Sequence, residues 1–124
     1  MEQAIPDQDV DLLRLAAKAA GITIDFPCGM YDPMLVVKDE FGNYRWWNPI
    51  IDDGDALRLA CDLGLRVYPV ARTPTGAACS AVGSATNELL AEVADMSLDT
   101  QTATRRAIVR AAAEIGRQLE GGAA

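Results

Sequence analysis

Histidine is absent from this sequence of 124 residues, and its only lysines are Lys18 and Lys38. The commonest general base and metal ligand in proteins is therefore missing. A serine or cysteine nucleophile would have only a lysine or a carboxylate to activate it. The glycine-containing segment 76–83 lacks the lysine of a phosphate-binding loop. We therefore predict a protein that is not an enzyme and that uses no cofactor and no metal.

Long apolar runs are also absent, and none approaches the ~18 unbroken residues that a membrane-spanning helix needs. The first residues are acidic and show no secretory signal. The cysteines, Cys28, Cys61 and Cys79, are odd in number and irregularly spaced, which is typical of reduced thiols in a cytosol. Buried free thiols are expected here in preference to a reactive one. We predict a cytosolic protein that contacts no membrane.

Apolar residues make up 50% of the chain, and the formal net charge is −7. A chain of this length is typical of one domain, and it can remove roughly two-thirds of its unfolded surface from water. An acidic protein repels phosphate, so we expect no direct binding of nucleic acid. The composition predicts one domain over residues 1–124, with a frayed tail at 120–124.

Three segments have the periodicity of amphipathic helices. The first, 9–20, and the second, 53–63, are each followed by a glycine that can adopt the left-handed conformation of a helix stop. The third begins at a cap provided by Asp99 or Thr100. The predicted buried stripes are Leu13, Ala16, Ala17 and Ala20; Ala56, Leu59, Ala60 and Leu63; and Ile108, Ala111, Ala112, Ile115 and Leu119.

The remaining segments favour strands. Two β-rich runs, 34–39 and 44–47, flank a turn that contains Gly42 and Asn43, which predicts a hairpin. Further extended segments are expected at 22–26, 65–71 and 77–83.

Two features of the second half bear on how these strands pair. Pro69 has no amide hydrogen, so its strand should lie at a sheet edge or carry a bulge. Residues 87–95 suit a helix turn, but they also alternate, and we favour a strand that pairs back onto 77–83.

These elements together predict an α+β fold, because hairpin-linked strands form antiparallel sheets and amphipathic helices cover them. The expected architecture is a three-layer α-β-α sandwich around a largely antiparallel sheet, in the order α-β-β-α-β-β(-β)-α.

Trp46 and Trp47 are the most conspicuous pair in the sequence. Adjacent strand residues face opposite sides, so Tyr44 and Trp46 should point one way and Arg45 and Trp47 the other. We expect both indoles to be buried, which requires a sheet covered on both faces. The alternative is that one indole lines a pocket or anchors a partner, since tryptophan is enriched at interaction hot spots.

The acidic run at Asp52, Asp53 and Asp55 has two interpretations. The spacing of the acids does not match a calcium-binding EF-hand loop. Acids at the start of a helix cap its free amide groups, and we prefer that role.

Three arginines of the last helix, Arg106, Arg110 and Arg117, share one face. Such a stripe can bind phosphates, but it is also typical of the solvated face of an alanine-rich helix. The negative net charge favours the solvated face.

Three stretches, 15–21, 47–60 and 103–116, carry a family resemblance. Their most specific parts are Trp47-Asn48-Pro49 and the Ala-Thr-Arg-Arg-Ala-Ile segment at 103–108. In these stretches the chain resembles the phage ABA sandwich domain proteins, small bacteriophage and prophage proteins without an assigned activity. The resemblance implies a helix–sheet–helix fold and a phage or prophage gene expressed in the cytoplasm of a host bacterium, and it transfers no catalytic residue.

The preferred function is therefore that of a non-enzymatic phage accessory protein that acts by binding another protein of the host or the phage. One alternative is an acidic inhibitor of a host nucleic-acid-handling or defence protein. A small enzyme without histidine and a structural protein of the virion are further alternatives. The predicted interaction surface consists of Trp46, Trp47, Asn48, Asp52, Asp53 and Asp55.

Overall fold

Residues 7–26, 35–38, 41–73, 76–83, 89–94 and 100–121 are described by the structure, a computed structural model. The helices and strands within them follow the predicted order, and the mixed α+β class is confirmed. Their bounds are α1 (Asp7–Ala20), β1 (Thr23–Phe26), β2 (Leu35–Lys38), β3 (Tyr44–Trp47), α2 (Asp53–Leu63), β4 (Leu65–Thr73), β5 (Gly76–Gly83), β6 (Leu89–Ala94) and α3 (Thr100–Gly121).

The described strands form two antiparallel sheets of three, ordered β1-β2-β3 and β4-β5-β6. Within each sheet every strand pairs with its neighbour in sequence, whereas α2 separates β3 from β4. The ambiguous segment forms β6 and pairs with β5, as in Ala81 opposite Ala91, so the predicted strand is confirmed. Pro69 lies in β4, an outer strand of its sheet, as its missing amide hydrogen predicts.

Helix α1 begins at Asp7, two residues before the predicted start, whereas the ends of α1 and α2 that are followed by glycine lie where the sequence signals place them. Helix α2 has the predicted bounds, and Gly21 and Gly64 adopt left-handed φ angles of 75° and 64° directly after α1 and α2. Helix α3 continues through Glu120 and Gly121, the first two residues of the predicted frayed tail 120–124. No helix in the described part of the chain is both long enough and apolar enough to cross a membrane.

Helix α3 is central, because it contacts α1, α2 and all three strands of the second sheet. It approaches α1 so closely that a Cβ atom at Gly116 would lie 2.0 Å from the backbone oxygen of Leu15. The main core joins all three helices to the strands β2 and β3. Its buried members are Leu13, Ala16, Ala17, Leu35, Val37, Trp47, Ile50, Ala56, Leu59, Ala60, Ile108, Val109 and Ala112.

One member of the predicted stripes is exposed. Leu119 is 53% exposed, although Ile108, Ala111 and Ala112 on the same helix are buried. It lies in the last turns of α3, beyond the close approach of α1 at Gly116. Helical periodicity places a residue on a face, but the neighbouring elements decide how far along the helix that face is covered.

Candidate functional site

The hairpin formed by β2 and β3 has two faces of different character. The strands pair in register, with Leu35 opposite Trp47 and Val36 opposite Trp46. Side chains alternate between the faces, and the predicted alternation of Tyr44 and Trp46 against their neighbours is confirmed. The local sequence therefore assigns each side chain to a face before any packing is considered.

The inner face belongs to the core. Trp47 is only 1% exposed, and Leu35 and Val37 are also buried. All three pack in the cluster that contains the helices. Trp47 is therefore a structural residue. It belongs to the predicted interaction surface, but its burial leaves it inaccessible to a partner.

The outer face carries Tyr44, which is 58% exposed, and Trp46, which is 56% exposed. The expectation that both indoles are buried is thus wrong for Trp46. The strands lie in two separate sheets, and helices cover only the inner face of the first one among the described residues. The Nζ atom of Lys38 lies 5.7 Å from the centre of the Tyr44 ring, within the range of a cation–π contact.

Phe41 adds a third aromatic ring at the turn between the strands and is 79% exposed. We name Phe41, Tyr44 and Trp46 the outer hairpin surface. Trp46 belongs to the predicted interaction surface, whereas Phe41 and Tyr44 were not predicted as site residues. The signal was present, because strand alternation put Tyr44 on the face of Trp46, and Phe41 lies in a turn that exposes its side chains.

Asn48 and Asp55, two further predicted site residues, are buried and hold the chain between β3 and α2. A carboxylate oxygen of Asp55 accepts a hydrogen bond from the backbone N–H of Asn48 at 2.9 Å. The other oxygen faces the guanidinium groups of Arg58 at 2.7 Å and Arg45 at 3.4 Å. The side-chain oxygen of Asn48 accepts from the backbone of Ile50 at 2.9 Å. This network fixes the loop, and its buried groups are not available to a partner.

Asp52 and Asp53 are exposed and lie at the start of α2. Asp52 caps the helix, since its side chain accepts from the backbone N–H of Asp55 at 2.8 Å. Asp53 accepts from Arg105 at 2.6 Å, and Arg105 also donates to the backbone oxygen of Ile50 at 2.8 Å. The preferred capping role is confirmed for Asp52, and these contacts tie the start of α2 to α3.

The arginine stripe lies beside α1. Arg106 is half-buried and contacts the buried carboxylate of Asp9 at 3.3 and 3.4 Å. Arg117 pairs with Glu114, and Arg110 is exposed. With Asp11, the three arginines and Asp9 line a cavity of about 330 Å³ between the two helices. Two of the three arginines are thus paired with carboxylates, so the cavity does not present a cluster of free positive charges.

Metal ligands and thiols are not gathered into one centre in the part of the chain that the structure describes. Among the described side chains, no group of three or more acids and cysteines is placed to hold a metal ion. Cys61 is a free thiol and is exposed, so burial is wrong for this cysteine; it lies on the outer side of α2, away from the stripe of Leu59 and Ala60. Cys28 and the side chain of Cys79 lie outside the described residues.

The six predicted site residues are thus divided by burial. Trp47, Asn48 and Asp55 support the fold from inside, whereas Trp46, Asp52 and Asp53 are exposed. The most distinctive exposed feature is the outer hairpin surface. The chain matches no family model, no curated protein and no solved structure.

Proposed function

We propose that this protein is a non-enzymatic accessory protein of the bacterial cytoplasm that acts by binding another protein through the outer hairpin surface. Its partner would present an apolar patch that covers Trp46 and Tyr44. A phage or prophage origin, which the family resemblance implies, remains part of the proposal.

The observation that carries the proposal is the exposure of aromatic rings. Among the four aromatic residues whose side-chain burial the structure describes, Trp47 is buried, and the other three form the outer hairpin surface. Aromatic side chains bury a large area with few rotatable bonds, which is why tryptophan and tyrosine are enriched at interaction hot spots. A paired hairpin also presents these rings on a rigid support.

The surroundings of the rings suit a specific contact. Lys38 is exposed beside Tyr44 and supplies one positive charge, and the aliphatic side chain of Val36 lies opposite Trp46 in the register. A hydrophobic centre with a polar margin is the usual composition of a protein interface. The partner expected from this chemistry is an apolar surface with a carboxylate at its edge.

The test is affinity capture from a bacterial lysate, with the wild-type protein compared with the Trp46→Ser and Tyr44→Ser variants. We expect a stoichiometric partner that the wild-type protein retains and that both variants lose. Each truncation should weaken binding by about 2 kcal/mol, roughly thirtyfold, if the ring is a hot spot.

Leu57→Ser is the matched control, because Leu57 is 63% exposed but lies on α2, outside the outer hairpin surface. This variant should capture the same partner as the wild-type protein. Measurement of the molar mass in solution distinguishes a second copy of the chain from a different protein. Capture of no stoichiometric partner, or equal capture by the Trp46→Ser variant, would contradict the proposal.

A further inference from the structure

A second open cavity lies on another part of the molecule, between α1 and the first sheet. Its volume is about 500 Å³, and its lining is mainly apolar. Ala17 and Leu35 are buried at its base, and Ile22 and Ile24 line it with partly exposed side chains. Cavities of about 300–1,000 Å³ with a few charged groups are typical of small-molecule sites.

Charged groups of α1 stand at the margin of this cavity. Arg14 is paired with Glu120 at 2.9 Å, so its charge is already compensated. Lys18, one helical turn further along, is exposed and has no carboxylate partner among the described side chains. The described lining of the cavity therefore combines an apolar base with an excess of one positive charge, although the whole chain has a net charge of −7.

We propose that this cavity, the α1–β1 cavity, binds a small anionic amphiphile with a carboxylate head and an aliphatic body. The head contacts the ammonium group of Lys18, and the aliphatic body covers Ile22, Ile24 and Leu35. Burial of that body provides the main driving force, and the charge selects an acid over a neutral compound of the same length.

A small ligand suits this cavity better than an added peptide strand. Strand β1 is an outer strand of its sheet, but its register with β2 shifts between Ile24 and Phe26. Such a bulge interrupts the row of backbone groups that an added strand would use. The strand is also only four residues long. The site therefore offers side-chain contacts but little backbone pairing.

Decanoate is the probe, and decanol is the neutral compound of the same chain length. We titrate each into the isotopically labelled full chain and follow the methyl resonances of Ile22 and Ile24. We expect saturable shifts with decanoate below its micelle concentration, with a dissociation constant in the millimolar range or tighter. Decanol should bind about two- to fivefold more weakly, since it lacks the exposed ion pair. Shifts that do not saturate, or that centre on other residues, would overturn the proposal.

Two substitutions separate the contributions of charge and apolar contact. Lys18→Met should weaken the binding of decanoate about two- to fivefold and leave the binding of decanol unchanged. Ile24→Ser should weaken the binding of both compounds about five- to tenfold, because it removes apolar contact area. Arg110→Met and Leu57→Ser are the matched controls and should bind as the wild type does. Unchanged decanoate affinity in both test variants would overturn the assignment of the ligand to the α1–β1 cavity, even if another surface binds the probe.

This site does not depend on the outer hairpin surface. None of Phe41, Tyr44 and Trp46 lines the α1–β1 cavity. The Trp46→Ser variant should therefore bind decanoate with wild-type affinity while losing a protein partner. Loss of decanoate binding in that variant would contradict the assignment of the ligand to the α1–β1 cavity.

Discussion

The two faces of the β1–β2–β3 sheet carry similar side chains in opposite environments. On the inner face Trp47 is buried with Leu35, whereas on the outer face Trp46 and Val36 stand opposite one another with the indole largely in solvent. The two tryptophans are adjacent in the chain, so composition does not distinguish them. The difference shows that an apolar strand face is buried only where another element covers it, and that an uncovered one is available for recognition.

The largest expected effect comes from the buried tryptophan. Trp47→Ala should destabilise the protein by about 3–5 kcal/mol, because it removes a large side chain from a packed core. Trp46→Ala should change stability by only about 0.5 kcal/mol, since that ring is mostly exposed. Urea unfolding followed by circular dichroism measures both. Equal losses would contradict the difference between the two faces.

Asp55 tests whether the loop behind the hairpin is structural. Asp55→Ala should cost about 2–3 kcal/mol, because it leaves the buried N–H of Asn48 without its acceptor and two arginines without their carboxylate. Asp53→Ala breaks a more exposed pair with Arg105 and should cost less than about 1 kcal/mol. Thermal unfolding of the two variants gives the comparison. A larger loss of stability from Asp53→Ala than from Asp55→Ala would contradict the structural role assigned to Asp55.

Gly116 tests the close contact between α1 and α3 that supports the buried side of the molecule. Gly116→Ala should destabilise the protein by about 1–3 kcal/mol, because the new Cβ would overlap the backbone of Leu15. Gly121→Ala is the matched change in the same helix, where nothing lies within 4 Å of the added atom. It should leave stability unchanged or slightly raised. Similar unfolding midpoints for the two variants would show that the helices can separate freely.

The smallest effect is expected at the cap of α2. Asp52→Ala should cost about 1 kcal/mol through loss of the hydrogen bond to the backbone N–H of Asp55, whereas Asp52→Asn should retain most of the stability. Chemical unfolding resolves a difference of this size. If the asparagine variant were as unstable as the alanine variant, the role of Asp52 would depend on its charge and not on the cap hydrogen bond.

Local features of the fold were predictable because their causes are local. Helix α2 follows from an acidic cap, an apolar stripe at helical spacing and a closing glycine, and each lies within a few residues of the others. The hairpin likewise follows from alternation around a turn that contains Gly42, whose φ of 85° suits glycine. The same alternation separated Trp46 from Trp47.

The candidate site was only partly predictable, because burial depends on distant parts of the chain. The sequence placed Asn48 and Asp55 in an accessible acidic segment, but the structure encloses both beside the core. Their contacts with Arg45 and Arg58 require the strand and the helix to be in place together. The α1–β1 cavity likewise combines residues from both ends of the chain, such as Lys18 and Glu120.

The sequence by itself determined, to within about two residues, where most helices and strands begin and end and on which side of each element a residue lies, since backbone sterics and side-chain period act over a few residues. Only the tertiary structure decided that the strands divide into two sheets, that Trp46 stays exposed and that Asp55 is enclosed. Those outcomes depend on how complete elements pack against one another, and packing joins residues that are far apart in the chain.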